Sequence, residues 1–156
     1  MAALLFWLTA LAALSSAIVG GIFYGFSSFV MRGLARIEPA QGVAAMNAIN
    51  VVVITPSFML PFLGTAPLGL ALAAATWMNW PMARAGLVVA AAAVYLLGCL
   101  LPTMAINQPM NLRLAALPPA EGAATWPGYV ARWTAWNHVR TAAALLAAGL
   151  FTAALF

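Results

Sequence analysis

The sequence predicts an all-α integral membrane protein, a bundle of four transmembrane helices with short interfacial helical pieces. Three observations predict it. Hydrophobic residues make up 66% of the 156 residues and charged residues 5%, against roughly a quarter charged in a soluble domain. Six Arg and two Glu do not wet the surface of a globule of this size, so the apolar excess faces lipid. The charges also partition the chain, because residues 1–31, 39–83, 85–112 and 141–156 carry none. Finally, runs such as Leu87 to Leu101 are apolar on every face, which excludes the strict alternation of a membrane β-barrel. About 20 apolar residues in a helix cross the hydrocarbon core, and a spanning helix satisfies its own backbone.

Taken in order, the first span is expected over residues 3–31. It lacks a basic start and is longer than a signal-peptide core, so it reads as a retained helix. Gly20, Gly21 and Gly25 make a thin stripe for a neighbouring helix. Arg32, Arg36 and Glu38 mark the exit, and Pro39 suits the first turn of a new helical piece. Gln41 to Asn50 is placed at the interface, leading into a second span over 51–77 that Pro56, Pro61 and Pro67 should bend. Trp77, Asn79, Trp80 and Pro81 form a turn with interfacial aromatics. The third span is expected over 82–106 and the fourth over 129–156, with 107–132 as the longest polar connection. The chain is a single transmembrane domain, 1–156.

Four spans put Arg32, Arg36, Arg113 and Arg132 on one side and Arg84 alone on the other. The positive-inside rule then makes the two longer connections cytoplasmic, with both termini outside, in a plasma or inner membrane. The scattered Arg residues, with a net charge of +4, are no nucleic-acid signal. Cys99 has no partner for an intramolecular disulfide and reads as packing. The bilayer is the implied partner, and a homo-oligomer is left open.

Polar groups are costly in lipid and usually face a bundle interior. Here they gather at helix ends. Tyr24 and Ser28 lie one turn apart, Asn47 and Asn50 share a face, and so do Thr103 and Asn107. Trp133, Trp136, Asn137 and Arg140 repeat at i, i+3, i+4 and i+7, with His138 on the flank of that face. Threading the spans brings all of these to one side of the membrane, which suggests a pocket. Structural roles compete at each position: interhelical glue for the amides, snorkelling for Arg140, an aromatic belt for the Trp residues. His138 stands between an interfacial role, proton transfer, and a lone axial ligand to a haem with Met31 or Met104 opposite. A conventional metal site lacks ligands, and the absence of Asp and Lys removes a Ser-His-Asp triad and a Schiff-base lysine.

The string Gly21 to Ser27, continuing through Val30-Met31-Arg32-Gly33-Leu34, resembles the DUF1772 or anthrone oxygenase family. The likeness continues at Pro39, at Met46 to Asn50, at Asn107 to Asn111 and at Trp133 to Arg140. The resemblance implies a four-helix membrane protein whose named members oxidise anthrones to anthraquinones with dioxygen and without an established cofactor. By position it carries over Asn50, Asn107, Asn111, Trp133, Asn137 and Arg140. From the polar cluster itself, Tyr24, Asn47, Thr103 and Trp136 are expected as further contacts to an aromatic or quinone-like molecule. His138 would then accept a ring-methylene proton, and Arg140 with the Asn amides would stabilise the enolate oxygen. Two other classes stay open, a non-catalytic carrier for a lipid or quinone and a structural membrane subunit.

Overall fold

The computed structural model describes residues 2–156. It is all-helical, 91% helix, with no strand among the described residues. The first helix, α1 (Ala2–Gly25), runs through a π-helical turn, Phe26–Val30, into α2 (Met31–Leu34). Then come α3 (Pro39–Val52), α4 (Pro56–Asn79) and α5 (Met82–Tyr95). Two π-helical turns, Leu96–Leu100 and Thr103–Asn107, lead into α6 (Gln108–Ala116), and α7 (Pro119–Ala153) completes the chain. Three continuous helical runs are long and apolar enough to cross a membrane: Ala3–Leu34, Pro56–Asn79 and Met82–Ala116.

Two helix starts differ from the sequence expectation, and proline explains both. The second long helix begins at Pro56, not near Val51. Proline disfavours helical backbone in the residue before it, and Thr55 is extended at φ −121°, ψ 150°. Residues 41–52 therefore belong to α3, separated from α4 by a short break. The last helix starts at Pro119, not Tyr129. Pro119 occupies the first turn, where its missing N–H costs nothing, and Glu121 complements the positive helix end. The expected long polar connection is thus mostly helix. Pro127 sits inside α7, where Trp126, Tyr129 and Trp133 on either side pack against Met31, Met46 and Leu114.

The π turns also have local causes. Each holds a backbone bond from residue i+5, as in Met31 to Phe26, Leu101 to Leu96 and Gln108 to Thr103. Pro102 and Pro109 lack the N–H that would keep ordinary helical register around the last two. Near the first, side chains compete for the backbone carbonyls. Ser28 Oγ donates to the Tyr24 carbonyl at 2.7 Å, and Asn137 Nδ2 donates to that of Phe23 at 2.7 Å.

α1 packs against α7 and α4, and α5 packs against α4 and α7. One core joins these four helices through Phe23, Phe62, Leu72, Tyr95, Ala144 and Phe151. Tyr95 donates its hydroxyl to the Phe62 carbonyl at 2.8 Å, tying α5 to the proline-containing part of α4. The second core lies where α3 and α6 cover the first half of α7. Of the three glycines expected to admit a neighbour, only Gly20 does so: a Cβ there would meet Leu145 Cδ2 at 2.7 Å. Gly21 faces open space, and Gly25 meets only Phe29 of its own helix.

Candidate functional site

A cavity of about 280 Å³ lies where the two cores meet. That is near the lower end of the range for small-molecule sites, about 300–1,000 Å³. Most of its wall is apolar. Phe58 and Phe62 stack with centroids 5.5 Å apart, and Phe23 meets both edge-on at 6.1 Å. Phe58 and Phe62 are one α-helical turn apart on α4, so both rings project from one face.

The polar part of the wall comes from Asn50, Thr103, Asn107, Gln108, Asn111 and Arg140. Arg140 is only 3% exposed. Its Nη2 donates to Asn137 Oδ1 at 2.6 Å and its Nη1 to Thr103 Oγ1 at 3.3 Å. The guanidinium carbon stands 4.3 Å from the Phe23 ring centre and 4.8 Å from that of Trp133, a position that favours a cation over each aromatic face. Asn137 is held in turn by its amide bonds to the Phe23 carbonyl and to Ser27 Oγ, the latter at 2.8 Å. The only two carboxylate side chains, Glu38 and Glu121, are both exposed. Every group that touches Arg140 is neutral, and its Nε has no partner.

Asn111 organises the other polar patch. Its Oδ1 accepts from Tyr129 Oη at 2.7 Å and from Trp133 Nε1 at 2.9 Å, while its Nδ2 donates to Asn50 Oδ1 at 2.9 Å. Asn107 Nδ2 donates to the Trp133 carbonyl at 3.2 Å. Asn50 Nδ2 and Asn107 Oδ1 remain without partners, as does Arg140 Nε. Buried polar atoms are normally satisfied. Three unsatisfied ones belong to residues that line a single cavity.

The structure therefore brings Asn50, Thr103, Asn107, Asn111, Trp133 and Arg140 to one cavity, with Asn137 directly behind Arg140. It does not bring the remaining sequence candidates there. Tyr24 is 59% exposed and points away, while Asn47 and Trp136 are half-buried outside the lining. His138 is exposed and lines a separate groove with Met31 and Arg32. The reason is angular. At about 100° per residue, His138 lies some 200° round the helix from Arg140, so the face that buries Arg140 turns the imidazole outward. Met104, in contrast, lines the main cavity. Sequence reading missed Phe23, Phe58, Phe62 and Tyr129. The i, i+4 spacing of the first α4 pair was the available signal, but phenylalanine in an apolar helix does not stand out from its background.

Fold and site together define a class: an all-helical membrane protein with an apolar cavity and an unpaired buried cation in its wall. The anthrone oxygenase family model matches residues 57–150, more than half of the chain. The chain belongs to the anthrone oxygenase family. The match runs from α4 into α7, taking in Thr103, Asn107, Asn111, Trp133, Asn137 and Arg140. No curated protein and no solved structure gave a match.

Proposed function

We propose that the cavity binds a flat, largely apolar ketone or phenol of the anthrone type, and that the chain promotes its oxidation by dioxygen. Arg140 carries this reading. A buried guanidinium held only by neutral groups is costly unless an anionic or strongly polarised oxygen approaches it. An anthrone supplies such an oxygen when its ring methylene loses a proton and the negative charge moves to the carbonyl. Preorganised donors stabilise the developing enolate, lowering the barrier to its formation. The electron-rich carbon then reduces dioxygen. The methylene becomes a carbonyl, and the second oxygen atom leaves as water.

The lining contains neither imidazole nor carboxylate, so in this proposal Arg140 acidifies the substrate and water takes the proton. The aromatic wall of Phe23, Phe58 and Phe62 suits a planar ring system. Its mouth includes Ile54, Leu63 and Met104, all substantially exposed, which suits a substrate arriving from the bilayer. The same lack of a side-chain base favours one other reading, a carrier that binds a quinone without turning it over.

In the same proposal α7 is a fourth span, both termini lie outside, and the membrane is the plasma membrane. Arg84 Nη2 donates to the Phe156 carbonyl at 2.5 Å, which keeps the α4–α5 turn and the C-terminus at one end of the bundle. The decisive experiment is oxygen uptake by purified protein with an anthrone, for wild type, Arg140→Gln and Arg140→Lys. Wild type should exceed the spontaneous rate. Arg140→Gln should lose at least about a hundredfold, the order expected for one oxyanion donor. Arg140→Lys should recover little, because an ammonium cannot make the same two-pronged, ring-stacked contact. Tight retention of an anthraquinone with no oxygen uptake would instead establish the carrier reading.

A further inference from the structure

A second recess lies on the opposite face of α7 from Arg140. It has a volume of about 310 Å³ and is formed by α2 with the residues just after it and by α7. The α7 residues Ala131, Thr134, Ala135 and His138 recur at i, i+3, i+4 and i+7, so they form one continuous stripe. Small side chains in that stripe leave the recess open. Met31 and Val130 give it an apolar floor, while Arg32 and His138 supply its polar edge.

We propose that this groove holds one anionic phospholipid, with its phosphate between Arg32 and His138 and the start of an acyl chain against Met31. Neither Arg32 nor His138 makes a side-chain hydrogen bond or ion pair with another described residue, and no acidic side chain lines the groove. A guanidinium and an imidazole N–H are strong donors to phosphate oxygens. Nearby Arg36 and Arg132 are exposed as well and add to the positive field at this end of the helices. The apolar floor is what selects a lipid, because a free phosphate ion would gain nothing from it. This site is independent of the cavity at Arg140 and does not rest on the oxygenase reading.

Native mass spectrometry of the full chain in neutral detergent tests it, with phosphatidylglycerol, phosphatidylcholine and inorganic phosphate as probes. Wild type should retain one phosphatidylglycerol at least about tenfold more tightly than phosphatidylcholine. The double substitution Arg32→Gln with His138→Gln should remove that preference. Ala131→Trp should expel the lipid by filling the groove while leaving every charge in place. Arg36→Gln, outside the lining, should lower affinity by no more than about fivefold, the share of one nearby charge, and keep the preference for phosphatidylglycerol. All four positions are exposed, so the helical fold should persist in every variant. Equal retention of the two lipids overturns the proposal. So does an Arg36→Gln effect equal to that of the double substitution, retention unaffected by Ala131→Trp, or displacement of the lipid by inorganic phosphate.

Discussion

Arg140 and Asn137 form the pair on which the main cavity depends. Asn137 offers an oxygen to the guanidinium without cancelling its charge, so the cation stays available to a ligand. Asn137→Asp changes few atoms and reverses that situation. A carboxylate in the same place would make a charge-assisted pair with Arg140, and would lose the amide donors to the Phe23 carbonyl and Ser27 Oγ. The expected outcome is a folded protein whose affinity for a hydroxylated anthraquinone falls at least about tenfold, since such pairs are roughly twice as strong as neutral bonds. Equilibrium dialysis would read it, and wild-type affinity in Asn137→Asp would mean that the free charge is not what holds the ligand. Much of this site was legible in residue types and spacing: Asn107, Asn111, Trp133, Asn137 and Arg140 all stood out as polar groups in an apolar chain. Helical geometry alone separated His138 from the Arg140 face, but not which of the two faces is buried. The aromatic wall was not, because Phe23, Phe58 and Phe62 differ from ordinary core residues only in what they surround.

At the scale of the helices, close approach is concentrated at a few small residues. A Cβ on Gly98 would sit 2.5 Å from the Ala143 Cβ, whereas one on Gly64 would meet nothing within 4 Å. Neither of the two Cβ atoms at the Gly98 contact can rotate away, so the helices themselves would have to separate. Gly98→Ala is expected to destabilise the protein by about 1–3 kcal/mol, the usual cost of overpacking. Gly64→Ala should be neutral or stabilising by up to about 1 kcal/mol through helix propensity. Thermal unfolding in detergent, comparing the two variants side by side, checks both expectations, and equal midpoints would refute the close contact. The same substitution therefore separates a packing glycine from a spacer. Composition does not make that distinction: the conspicuous stripe Gly20, Gly21 and Gly25 contains one close contact, and the isolated Gly98 makes a closer one. Helix ends were misjudged for a related reason. Pro118, Pro119 and Pro127 read locally as a loop, yet proline suits a first turn, and packing of Trp126 and Tyr129 holds the rest in helix.

For the whole molecule, the proposed topology depends on α7 crossing the membrane. It has 35 residues, about 52 Å of helix, ample for a ~30 Å core. Cysteine labelling with a membrane-impermeant reagent would decide it, using Ala120→Cys and Phe156→Cys separately in a Cys99→Ala background. The two sites should label from opposite faces, with Ala120→Cys on the cytoplasmic side; labelling of both from one face would leave α7 on the surface. The sequence by itself determined that the chain is helical and lipid-facing, because eight charged side chains cannot wet a globule and an isolated backbone in lipid has no other way to satisfy its hydrogen bonds. It also determined family membership, carried by motifs short enough to survive without their context. Only the tertiary structure decided which polar residues share a cavity. Helical spacing fixes the face on which a residue stands, but the rotation of each helix about its axis is set by packing against its neighbours. That rotation buried Arg140 among neutral partners, left His138 on the opposite surface beside Arg32, and so divided one cluster of polar residues between two recesses.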